Sequence, residues 1–171
     1  MGSLNDVIKK QQQMISEPDK DQTEDVEQLV GFVVGEEEFA VPILSIQEII
    51  KPIEWTKVPF VPDYILGVFN LRGNVLPLID LRKKFGAPNA DIDENTRFIV
   101  MKIKDEDVAF IIDRLTSAIR IPKKSILPPP DTYSNEDEII DGVGRMSDGR
   151  IITILKIDNI IKREEIVPER D

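Results

Sequence analysis

The sequence predicts an all-β protein with short helices, built as two similar small barrels that share an interface. Three observations predict it: short apolar runs alternate with turn residues along most of the chain, their order repeats after about 70 residues, and helical spacing is confined to brief stretches. A period near 70 is too long for a solenoid. Five short strands per half close most easily into a barrel, because closure removes exposed sheet edges.

The first 27 residues stand apart. They carry Gln11-Gln12-Gln13 and then Ser16-Glu17-Pro18-Asp19-Lys20-Asp21, an acidic, polar composition. Leu4, Val7, Ile8, Gln11, Met14 and Ile15 can line one helical face, but an isolated helix of this length is marginal in water. The expectation for 1–27 is a disordered or weakly helical arm. From Leu29 the strands begin. Runs 29–34 and 38–43 flank Gly35-Glu36-Glu37 as a hairpin. The stretch 44–51 has helical spacing, with Glu48 as a polar residue on a largely apolar helix, ordinarily on an exposed face or paired with Lys51. Runs 65–71 and 75–81 flank Arg72-Gly73-Asn74, and 81–85 can form a short helix. Runs 97–103 and 108–112 flank Lys104-Asp105-Glu106-Asp107. Runs 138–145 and 151–157 flank Ser147-Asp148-Gly149-Arg150, and 158–165 reads as a closing helix with Asp158 as N-cap. The repeat places Glu48-Ile49-Ile50-Lys51-Pro52 against Ala118-Ile119-Arg120-Ile121-Pro122. The barrels are expected at about 35–95 and 96–160, with the start of the first strand contributing to the second, and with 166–171 as a tail.

Composition excludes several classes of function. The chain of 171 residues has 22 Lys+Arg against 32 Asp+Glu, a formal charge of −10, and neither His nor Cys. Disulfide frameworks, zinc fingers, Fe–S clusters, Cys nucleophiles and His-based triads are ruled out. The acidic balance argues against nucleic acid and against direct membrane binding, both of which need a basic surface. No apolar run approaches the length that spans a bilayer, and the polar start Met1-Gly2-Ser3-Leu4-Asn5-Asp6 is unlike a signal peptide, so a cytoplasmic protein is expected.

Chemistry is scarce. Asp91-Ile92-Asp93-Glu94-Asn95 begins like a calcium loop, but Thr96 stands where Gly is needed and Lys102 where Glu is needed, so a solvated turn is expected. Gly142-Val143-Gly144 lacks the third glycine of a dinucleotide site, and no phosphate loop occurs. Neither a metal nor a cofactor is expected. Paired-carboxylate catalysis needs two acids across a cleft. Asp80 and Asp113, at the ends of apolar strands, are the two candidates for an acidic β-barrel hydrolase. Their ordinary roles would be capping, or pairing with Arg82 or Arg114. Recognition fits better: Arg72 projects from a tight turn, where a guanidinium can make forked bonds.

The blocks FVVGEEEFAVPI, LSIQEII, ILGVFNLRGNVLPLIDLRKKFG, FIVMKIKDEDVAFIIDRLTSAIRI and IIDGVGRMSDGRIITILKIDNII, in this order, resemble the CheW chemotaxis coupling-protein family. The likeness covers about residues 28–162, and the domain is placed at 28–165. It implies a pair of five-stranded SH3-like barrels and a non-enzymatic adaptor joining the histidine kinase CheA, through its regulatory domain, to the cytoplasmic helical hairpin of chemoreceptors. Receptor-contact positions carried over by motif fall on Ile46, Glu48, Gly67 and Arg72, with Ala118 from the second half. On this reading Ile46 buries against a receptor helix while Arg72 and Glu48 set register, and receptors recruit the protein to membrane arrays. A CheV-type chain, in which this module precedes a receiver domain, is the alternative within the family.

Overall fold

The computed structural model describes residues 4–16, 25–129 and 139–161. One helix, α1 (Leu4–Ser16), precedes eleven strands: β1 (Val26–Val34), β2 (Glu37–Pro42), β3 (Ile46–Ile50), β4 (Ile65–Leu71), β5 (Asn74–Asp80), β6 (Arg97–Ile103), β7 (Glu106–Ile112), β8 (Arg114–Pro122), β9 (Ile126–Leu127), β10 (Ile140–Arg145) and β11 (Ile151–Leu155). A five-residue helix, α2 (Leu81–Phe85), follows β5, and single 3-10 turns follow β2, β8 and β11. The hairpins stand where the turn residues placed them. The helix expected at 158–165 is instead a 3-10 turn at Ile157–Asn159 that ends in a turn at 160–161, and 162–165, like the expected tail 166–171, lie outside the described residues.

Two sheets form, in the orders β3-β6-β7-β5-β4 and β8-β1-β2-β11-β10-β9. The second has six strands rather than five, because the two-residue β9 adds to β10. The strand partners also cross the expected division at residue 95. Hairpin β1–β2 pairs with β8 and β11, whereas hairpin β6–β7 pairs with β3 and β5. Each half of the sequence thus lends its hairpin to the other half's sheet. The repeat in sequence is real, but the folded unit is offset from it by one hairpin.

Three apolar clusters explain the long hydrophobic runs. Phe69, Leu76, Phe98, Val100 and Ile111 pack within the first sheet, and Leu29, Ala40, Ile119 and Ile154 pack within the second. Residues on one face of a sheet can meet each other across it only if the sheet curls around them. The alternate residues, Phe32, Phe39, Val41, Ile99, Met101 and Phe110 among them, form a third and larger cluster shared by both sheets. Strands β1, β6 and β7 are therefore buried on both faces, so their sequence is continuously apolar rather than alternating.

Two segments depart from their sequence expectation. Residues 44–51 are not helical: a 3-10 turn (Ile43–Ser45) leads into β3. The pairing runs Ile46 to Met101 and then Glu48 to Val100, so Gln47 is an extra residue in a bulge. That bulge lets Ile46 and Ile49, three apart, both point inward, which mimics a helical period in sequence. The arm is not loose over 4–16. Helix α1 packs on the shared cluster through Ile8, 3% exposed, with Leu4 beside it. Val7, placed on the inner face by the apolar pattern, is 42% exposed.

Candidate functional site

The tight turn between β4 and β5 holds Arg72 at φ 52°, followed by Gly73 at φ 86°. Gly73 tolerates that left-handed geometry freely, and its N–H is accepted by Asn70 Oδ1 at 3.0 Å. The turn aims the Arg72 side chain at Glu48 on edge strand β3. Nη1 donates to Oε2 at 2.5 Å and Nη2 to Oε1 at 2.6 Å, a two-pronged pair. The side chain of Arg72 is 73% exposed and that of Glu48 is 19% exposed. Hydrogen bonding to Glu48, reinforced by its charge, holds the guanidinium proton more firmly than usual. The pair joins edge strand β3 to the β4–β5 turn at the surface of one sheet. An exposed pair of this kind contributes little to folding, but it orients the guanidinium, whose three remaining N–H groups are outside the pair.

Ile46, two residues before Glu48, is 4% exposed and lies in the shared cluster, so its side chain is not free to pack on a partner helix. It anchors β3 from within. Gly67 is buried on β4, where the chain at Thr56 crosses it: Thr56 N–H donates to Val68 O at 2.8 Å, and Val68 N–H to Thr56 O at 2.9 Å. A Cβ at Gly67 would stand 2.1 Å from Thr56 O, so the position demands glycine for a close backbone approach. Ala118 is half-buried on β8. It is opposite Val30, as Glu48 is opposite Val100, which makes it the counterpart of Glu48 in the second sheet. Of the five residues, the fold brings Glu48 and Arg72 into contact, buries Ile46 and Gly67 beneath them, and places Ala118 on the other sheet.

The two candidate acids have structural partners. Asp80 is the N-cap of α2, and its Oδ1 accepts from Arg82 N–H at 2.9 Å. Arg82, 3% exposed, pairs through Nη2 with Asp113, and its Nη1 donates to Ala90 O at 2.6 Å. Asp113 Oδ2 accepts from Gly35 N–H at 2.6 Å, and Asp113 N–H donates to Val33 O at 3.0 Å. Phe85 of α2 stacks on Phe39 of β2, centroids 4.9 Å apart. This network ties α2, the 86–90 loop and the β7–β8 corner to hairpin β1–β2, and so ties one sheet to the other. Both carboxylates are occupied by capping and ion pairing, which disfavours the hydrolase reading. In the loop that resembles a calcium site, Asp93 Oδ1 accepts from Asn95 N–H at 2.8 Å and closes an ordinary turn.

Sequence reasoning missed the partner of Arg72: Glu48 was expected on a helix, facing solvent or Lys51. It also missed Thr56, which makes Gly67 obligatory, and Asn5 and Gln12 of α1, whose side chains reach the main chain of β3 and of the 3-10 turn before it. Their seven-residue spacing was the only signal available.

Comparison with known proteins agrees with this architecture. The CheW-like domain family matches residues 28–165. The chain is 45% identical over 161 residues to a chemotaxis protein CheW of Helicobacter pylori, covering 94% of this chain and 97% of that one. It is 30% identical over 138 residues to a chemotaxis protein CheW of Bacillus subtilis, covering 81% and 88%. Among solved structures, the scaffolding protein TtCheW of Thermoanaerobacter tengcongensis matches with a TM-score of 0.76 at 29% identity, over 84% of this chain and 99% of that one.

Proposed function

The chain belongs to the CheW-like domain family of chemotaxis scaffold proteins, and from that premise we propose that it couples the histidine kinase CheA to the cytoplasmic tips of chemoreceptors without catalysing a reaction. The observation that carries this reading is the Arg72–Glu48 pair, at the surface between the β4–β5 turn and edge strand β3 of one sheet. A helical hairpin offers carboxylates, amides and carbonyl groups along its flank, and the remaining N–H groups of a guanidinium oriented by Glu48 can set its register. Glu48 and Arg72 make the contact, Ile46 and Gly67 hold their strands from within, and Ala118 lines the same function from β8. The kinase regulatory domain takes a separate surface.

Two simultaneous contacts are all an adaptor needs, since joining partners raises their effective concentration to around millimolar for short flexible connections. Here the joint is a folded body, so orientation is set as well. Among the described residues no helix is long and apolar enough to cross a membrane. The protein is cytoplasmic on this account, and its recruitment to the membrane comes through receptors, in keeping with a net charge of −10.

The test is Arg72→Glu, measured against a receptor cytoplasmic fragment and against the kinase regulatory domain. Receptor affinity should fall by roughly thirtyfold or more, as for a charged hydrogen bond desolvated in a complex, with kinase binding intact. Unchanged receptor binding by the folded variant contradicts the assignment.

A further inference from the structure

We propose that helix α1, which lies outside the family-matched segment, is a working part of the Glu48 face: Asn5 and Gln12 grip the outer edge of β3 and hold the bulge that presents Glu48. This rests on the functional reading above and extends it to a segment that reading does not use.

Edge strand β3 pairs with β6 on one side only. On its open side the Asn5 carboxamide takes the part of a neighbouring strand residue. Its Nδ2 donates to Ile49 O at 2.7 Å, and its Oδ1 accepts from Ile49 N–H at 2.9 Å. Seven residues on, Gln12 Nε2 donates to Ile43 O at 2.7 Å and to Ile46 O at 3.2 Å. Ile8, between them on the helix, is buried in the shared cluster. The spacing is a matter of simple geometry. Seven helical residues advance about 10.5 Å, and the three strand residues from Ile46 to Ile49 advance about 10 Å. Helix and strand run antiparallel in matched steps, so the two carboxamides meet the strand at points on either side of Gln47 and Glu48.

Gln47, the first of them, is where the strand is least constrained from its other side. The β3–β6 ladder breaks between Ile46 and Glu48, so Gln47 has no partner in β6. A bulge on an unguarded edge can slip, and a one-residue slip would turn Glu48 away from Arg72. With Ile49 and Ile46 fixed by α1, the bulge stays in place and the two-pronged pair can form. Asn5 and Gln12 are positioning residues for the site: they touch the main chain of β3, and Glu48 and Arg72 make the contact. The same carboxamides occupy the backbone groups that an incoming strand would use, so α1 also blocks edge-to-edge association.

The test uses the full chain with Asn5→Ala and Gln12→Ala together, and Val7→Ala on the exposed side of the helix as control. Amide exchange at Ile49 and the Arg72 guanidinium NMR signals report on the strand edge and the fork, and affinities are measured for a receptor cytoplasmic fragment and for the kinase regulatory domain. The expected result is faster exchange at Ile49, broadened Arg72 signals, and receptor affinity lower by about tenfold. Kinase-domain affinity and the control variant stay unchanged. The proposal is overturned if Ile49 exchange does not rise, if it rises with receptor affinity intact, or if both affinities fall together. If the unaltered chain binds no receptor fragment, the functional reading fails, and the clamp is then judged by the Ile49 and Arg72 signals alone.

Discussion

Replacing Arg82 with Ala should destabilise the protein by about 3 kcal/mol, the largest effect expected from any single charged residue described above. Arg82 is 3% exposed and bonds both Asp113 and Ala90 O. Removing it leaves the Asp113 carboxylate with the Gly35 N–H as its hydrogen-bonding partner and leaves Ala90 O without its donor. Breaking a buried ion pair from one side costs about 3–5 kcal/mol. The lower end applies because the Asp113 side chain is 22% exposed and water can reach it in part. For a chain of this size that is a fall in melting temperature of roughly 6–12 °C. Urea unfolding of the wild type and of Arg82→Ala measures the difference directly, provided both transitions are two-state with equal slopes. A loss below about 1 kcal/mol would refute the view that this network locks the two sheets together, because such a value is typical of an exposed pair.

Four further outcomes follow from the same structure. Gly67→Ala forces a Cβ against the Thr56 carbonyl, where backbone must move, and should cost about 2–3 kcal/mol in urea unfolding. Ile8→Ala removes a buried side chain from the shared cluster; a loss of about 2 kcal/mol, with faster amide exchange at Ile49, is expected. Asp80→Ala removes the N-cap of α2 and should cost about 1 kcal/mol by thermal unfolding. The Arg150 backbone N–H, and after it the Arg150 guanidinium, hold the Asp148 carboxyl below its ordinary range. Because the folded value is the lower one, this turn's contribution is complete above the unfolded carboxyl value and fades as pH falls through the folded one. Carbon-detected NMR titration of Asp148 should show a midpoint below that of an unfolded-chain aspartate.

Much of this fold is written in local sequence signals. Hairpins β1–β2, β4–β5, β6–β7 and β10–β11 carry apolar runs broken by turn residues, so their positions could be read directly. Asp80, next to 81–85, announced the cap of α2. What escaped was set by tertiary contacts. Strand β3 looked helical because a bulge at Gln47 brings Ile46 and Ile49 to one side. The exchange of hairpins between the sheets leaves no local mark, since each hairpin has the same pattern whichever sheet it joins. The docking of helix α1 on β3 escaped because two of its inward residues, Asn5 and Gln12, are polar, and a search for an apolar face turns them outward. At the site, both Glu48 and Arg72 could be named, but their contact depends on which strands border one another, and that is a property of the folded sheet.

The most direct test of the central claim is co-sedimentation of the kinase with receptor-bearing vesicles in the presence and absence of this chain. A scaffold that holds both partners at once brings the kinase down with the vesicles only when the chain is present, and Arg72→Glu leaves it in the supernatant, still bound to the kinase. Competition between receptor and kinase for the chain, so that adding one releases the other, would contradict the account.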